Sequence, residues 1–133
     1  MIGIKAKITK EGDLWLISIP AIDAVTQAHT RDELFPMLED YIKEASEIEG
    51  IEFDYRDNGA HDVDVFLSPE KKIIPWLLGE FRENADVTLE EAAKRLNVKG
   101  KNAYKRYQDG ESVPSISKFS ELLEVTGKRL MIG

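Results

Sequence analysis

The hydrophobic pattern of this chain changes period partway along its length, and that change limits the folds open to it. At the start, Ile2, Ile4, Ala6 and Ile8 alternate with Lys5, Lys7 and Thr9. A spacing of two places every apolar side chain on one face of a strand. After Thr88, Leu89, Ala92, Ala93 and Leu96 recur at i, i+3, i+4 and i+7, which is one face of a helix. Strands first and helices afterwards is the α+β class.

In the first half, Gly12 of "KEGD" allows a hairpin turn, and Leu14 to Ile19 is apolar on both faces, as an inner strand requires. Pro20 ends that strand because it has no N–H for the ladder. A third short strand is expected around Ala24 to Gln27. Thr30 and Glu33 then form a capping box, opening a helix whose stripe is Leu34, Leu38, Tyr41, Ile42, Ala45 and Ile48. Pro36 implies an irregular first turn or a later start. A last strand is clearest at Val63, Val65 and Leu67, giving β-β-β-α-β over residues 1–68. His29 and His61 read as surface residues. Asp62 and Asp64 share a strand face, but nothing identifies further metal ligands, so no metal, cofactor or catalytic site is expected here.

The second half begins with Ser68 as a helix N-cap and Pro69 at the first helical position. Ile73, Ile74, Leu77, Leu78 and Phe81 form its apolar face, interrupted by Pro75 and Gly79. Thr88 and Glu91 make a second capping box. The helix they open ends in "NVKG", and another helix runs to about Asp109. Two short helices joined by such a turn predict an all-α helix-turn-helix domain over residues 69–133. Gly110 stops the second of these helices. A further helix, capped by Ser115, is expected to bury Ile116, Phe119, Leu122 and Leu123.

Charge adds the functional signal. The chain has a formal net charge of −7, yet Ala92 to Gln108 contains Lys94, Arg95, Lys99, Lys101, Lys105 and Arg106 and no Asp or Glu. On a helical wheel of about 100° per residue, Lys101, Asn102, Lys105, Arg106 and Gln108 fall in one arc, and Ala103, Tyr104 and Tyr107 in the other. The tyrosines therefore read as core, and the polar arc as a face suited to a DNA groove. Lys can reach guanine O6 and N7, Asn can pair with adenine, and Arg can take a phosphate. The candidate DNA-binding residues are Lys99, Lys101, Asn102, Lys105, Arg106 and Gln108. Residues 1–70 hold six Lys and Arg against sixteen Asp and Glu, a net of −10; residues 71–133 hold twelve against nine, a net of +3. Such an asymmetry suggests halves with different partners.

Two resemblances follow from these residues. "WLISIPAIDAVTQAHTRDEL", with Pro20, Thr26, Thr30 and Glu33, resembles the N-terminal domain of HicB-family antitoxins. "NVKGKNAYKRYQDG" followed by "VPS" resembles XRE-type helix-turn-helix domains, which some HicB-type antitoxins carry at their C-terminus. The first resemblance implies a truncated RNase H-like fold, without catalysis, that covers the active site of a small HicA-like RNA-cleaving toxin. The second implies operator DNA binding and repression, by a homodimer or higher homo-oligomer. The reading is a non-enzymatic antitoxin of a type II toxin–antitoxin pair. Its alternative is a stand-alone regulator with a ligand-sensing N-terminal domain. The absence of cysteine, secretion signal and long apolar run fits the cytoplasm and no membrane partner.

Overall fold

The structure, a computed structural model, describes residues 1–133. Five strands, β1 (Ile2–Glu11), β2 (Leu14–Ile19), β3 (Ala24–Ala28), β4 (Glu52–Gly59) and β5 (Asp62–Ser68), form one sheet in the order β3-β2-β1-β5-β4. Every neighbouring pair is antiparallel. The five α-helices are α1 (Leu34–Ser46), α2 (Glu70–Asn84), α3 (Leu89–Arg95), α4 (Asn102–Gln108) and α5 (Ile116–Val125), and a 3-10 turn spans Pro20–Ile22. The chain divides into two compact units, Met1–Ile73 and Ile74–Gly133. No helix is long and apolar enough to cross a membrane.

This is mixed α+β, but not the architecture the sequence predicts. A small β-β-β-α-β domain followed by a separate all-α helix-turn-helix domain is not evident. The sheet has five strands rather than four. The division between Ile73 and Ile74 lies inside α2, so Glu70–Ile73 belongs to the first unit and the rest of the helix to the second. Lys71 and Lys72 thereby join the acidic unit, so the net charges become −8 and +1. The missing element is β4. Phe53 and Tyr55 do alternate with Glu52, Asp54 and Arg56. An edge strand needs only one half-covered face, however, and its charge content conceals that alternation.

In the first unit, register carries the period-two pattern into a core. Ile4 lies opposite Val65 and Ala6 opposite Val63, while Ile8 faces Ile17 and Ile17 faces Thr26. These residues share one face, and α1 lays Leu34, Leu38 and Ile42 over it, all fully buried. Contacts along α1 fix its alignment: Phe35 stacks edge-on to Tyr55 at 4.7 Å, and the Tyr55 hydroxyl donates to Glu39 at 2.8 Å. Thr30 Oγ1 accepts from Glu33 N at 3.3 Å, but the helix starts only at Leu34. Pro36 therefore falls in the first turn, where no intrahelical donor is required. Tyr41, expected in the core, is 36% exposed, and Ala45 is exposed too. Only the i, i+4, i+8 row of the stripe reaches the sheet. Ser68 is the last residue of β5 rather than a helix cap.

The second unit is organised around Leu78, Val87, Ala92, Tyr104, Leu122 and Val125, with Ile74, Leu89, Leu96, Tyr107 and Phe119 packed against them. Pro75 lies inside α2 without ending it; the carbonyl left without a donor belongs to Lys71, which is exposed. Ile116 is 78% exposed, contrary to expectation, because it is the first residue of α5 and the stripe reaches the core only from Phe119 onward.

Candidate nucleic-acid interface

The basic stretch is built from two short helices with well-defined ends. Thr88 caps α3, its side-chain oxygen accepting from Glu91 N at 3.1 Å. At the other end Asn97 adopts the left-handed conformation, φ 58. Its N–H donates to the Lys94 carbonyl and the Val98 N–H to that of Ala93, the paired bonds that close a helix in a left-handed residue. Asn does here what glycine does more often, because its short polar side chain tolerates φ > 0. The same pairing closes α4, where Gly110 has φ 77 and Glu111 N reaches the Arg106 carbonyl at 2.9 Å.

The rotation of α4 about its axis is set by Tyr104. The ring is fully buried, and its hydroxyl donates to the Leu78 carbonyl of α2 at 2.7 Å. Burial pushes this hydroxyl above its ordinary pKa and keeps it a neutral donor. Tyr107, three residues on, is half-buried against the same core. With the tyrosines inward, Lys101, Asn102, Lys105 and Arg106 are all exposed, as is Lys99 in the preceding turn.

These residues are not equivalent. Lys105 pairs with Asp109 one helical turn on, and the carboxylate raises the lysine's pKa. Its charge is therefore offset by an acid just beyond the acid-free run. Arg106 donates to Ser112 Oγ at 3.3 Å. Gln108 stands apart from the other five: it is half-buried, and its Oε1 accepts from Arg82 Nε at 2.8 Å. The same guanidinium donates to the Val87 carbonyl at 3.0 Å. Gln108 thus ties α4 to α2, and a wheel drawn on α4 alone gives no sign of it.

Arg95, the other basic residue of α3 besides Lys94, is likewise occupied. It donates to the Val125 carbonyl at 2.7 Å and lies 3.9 Å from Glu91. Lys94 is exposed and extends the positive surface beyond the residues singled out from sequence. The freest cations are Lys94, Lys99 and Lys101, with the Asn102 amide beside them. Such a set can neutralise phosphates and read a base edge.

The acidic unit presents a different surface. Glu33, Met37, Asp40, Tyr41 and Glu44 fall on one side of α1 at helical spacing, and all are exposed. Met37 is 47% exposed and Tyr41 36%, an apolar pair rimmed by three carboxylates. The sheet carboxylates Asp62 and Asp64 do not converge on a common point. Asp62 is exposed, whereas Asp64 is buried, accepting from Asn58 at 2.9 Å and from Arg56 at 3.0 and 2.6 Å. The Asn58 amide, and then the Arg56 guanidinium, hold its carboxyl below the usual range. No group of three or more His, Cys, Asp or Glu is placed to hold a metal ion. His29 is exposed, and His61, in the β4–β5 turn, stacks edge-on to Trp15 at 5.8 Å. No protein-family model matches this chain, and no curated protein matches it.

Proposed function

We propose that this chain is an antitoxin of the HicB kind, which binds operator DNA through its second unit and a basic RNA-cleaving toxin through its first. The observation that carries the DNA half is the orientation of α4. Tyr104 is pinned inward by its bond to Leu78, so Lys101, Asn102 and Arg106 project together with Lys99. Asn102 and Lys101 serve base edges, while Lys94, Lys99 and Arg106 serve phosphates. Lys105 joins the contact only by leaving Asp109 for a phosphate.

The toxin half is supported by the charge of −8 on Met1–Ile73 and by the Met37–Tyr41 pair among Glu33, Asp40 and Glu44. A basic RNA-binding surface is the complement of such a face, with charge steering the encounter and the apolar centre losing water on contact. Masking a toxin's active site requires no chemistry from this chain, which acts as a binding protein and as a homodimer or higher homo-oligomer. Its location is the cytoplasm, with toxin and operator.

The test uses the full chain with a labelled duplex from upstream of its own reading frame, read by fluorescence anisotropy. Affinity should fall with salt at a log–log slope of about −0.9 per phosphate neutralised. The double variant Lys99→Glu/Lys101→Glu should flatten that slope and weaken binding. A flat salt response of the unsubstituted chain refutes the DNA half. The toxin half is tested by co-expression with the neighbouring small basic reading frame. Failure to co-purify, or ribonuclease activity of the pure chain alone, refutes it.

A further inference from the structure

The two edges of the sheet are unlike. On the β4 edge, Glu52, Asp54, Arg56 and Asp57 are exposed charges, and a register irregularity between Asp57 and Gly59 interrupts the ladder. Charges and irregular pairing are the usual protection of an edge against further strands. The opposite edge, β3, reads Ala-Val-Thr-Gln-Ala from Ala24 to Ala28. It has no charge, no proline and no bulge, and Val25 is 54% exposed. One row of its backbone donors and acceptors pairs with β2, leaving the outer row without a strand.

We infer that β3 is the seam at which a second copy of this chain adds to the sheet, antiparallel about a two-fold axis at Thr26. In that register Ala24 faces Ala28 and Val25 faces Gln27, so no charge is set against a like charge along the seam. At the axis Thr26 meets its own copy, and Thr26 Oγ1 is a buried side-chain oxygen with no hydrogen-bond partner within the chain. A cross-strand pair of threonines supplies that partner after a turn about χ1. Charge selects the same occupant. A unit of net charge −8 repels its copy over most of its surface, and of the two edge strands β3 is the one with no charged residue. An isologous strand pair of this kind closes at two copies.

The seam rests on the oligomeric part of the proposed function and on neither DNA nor toxin binding, so its test needs neither ligand. The chain has no cysteine, so Thr26→Cys places a single thiol at the axis. There the Cα atoms of an antiparallel pair lie about 4.5–5.5 Å apart, within disulfide reach. Under mild oxidation the full-length Thr26→Cys chain should give a covalent dimer at least about tenfold faster than Asp54→Cys on the other edge, through its higher effective concentration. Adding Val25→Lys/Gln27→Lys, which sets lysine against lysine across the seam, should abolish that advantage. Val25→Lys/Gln27→Glu, which sets lysine against glutamate, should restore it, and circular dichroism confirms that each variant is folded. Equal cross-linking of Thr26→Cys and Asp54→Cys, or no difference between the two charge variants, overturns the proposal.

Discussion

Replacing Tyr104 with phenylalanine removes one oxygen from the core beneath the basic face and leaves the ring in place. That oxygen donates to the Leu78 carbonyl at 2.7 Å. The carbonyl lies inside α2 and has a second lone pair for the helix ladder, so it is not orphaned by the change. The loss is then the net worth of one buried hydrogen bond, about 0.5–1.5 kcal/mol. For a unit of this size that lowers the melting midpoint by about 4–8 °C per kcal/mol. Tyr104→Ala removes the ring as well, at a cost of about 3–5 kcal/mol. The Ile74–Gly133 unit has 60 residues, and at roughly 0.05–0.15 kcal/mol per residue its whole stability is about 3–9 kcal/mol. The alanine variant should therefore lose a third or more of the unit's stability, and unfold it at the lower end of that range, while the phenylalanine variant folds. Urea unfolding followed by Trp76 emission, in a Trp15→Phe background, reads both effects. Phenylalanine at 104 should leave DNA affinity unchanged under conditions where the unit is folded. An unaltered urea midpoint together with weakened DNA binding would show that Tyr104 contacts nucleic acid, and would refute the inward orientation of α4.

The same hydroxyl gives an alkaline prediction. Its folded pKa is raised above the ordinary 10.0, so the unfolded chain ionises first. Stability is full below about pH 10 and falls above it, and Tyr104→Phe should lose less over that range in a pH series of urea midpoints. Asp64 has the opposite sign. Its folded pKa lies below 3.8, so its contribution is present above that pH and lost as pH falls further. Asp64→Asn should lower the neutral-pH midpoint of the first unit and reduce its acid sensitivity, read by Trp15 emission in a Trp76→Phe background. Thr88→Ala removes the α3 cap and should destabilise the second unit by about 1 kcal/mol, measured by the same urea titration; no change would mean that Glu91 N finds another acceptor. In DNA-binding salt titrations Lys99→Ala should reduce the slope by about one phosphate's worth, about 0.9. Lys105→Ala should reduce it by less, because Asp109 already offsets that charge. Equal reductions would show that the Lys105–Asp109 pair opens on binding.

Local signals account for what was legible from residues alone. Strand periodicity placed β1 and β5, because alternation reports one covered face wherever the partner strands lie, and a short apolar run between Gly12 and Pro20 placed β2. The Thr88 box started α3, and Ser115 caps α5 through a bond from Lys118 N at 3.1 Å, since a cap involves only a few neighbouring residues. The inward tyrosine and the outward Lys101, Asn102, Lys105 and Arg106 also followed from spacing within one helix. What needed the tertiary structure involves partners distant in sequence. Gln108 was drawn off the candidate face by Arg82, 26 residues away. Tyr41 and Ile116 were left exposed because a helical stripe can be wider or longer than the surface it meets. The edge strand β4 was hidden by its own charge. Periodicity tells which residues of a segment turn the same way, whereas the extent of the opposing surface, and the residues standing on it, are decided only when the segments meet.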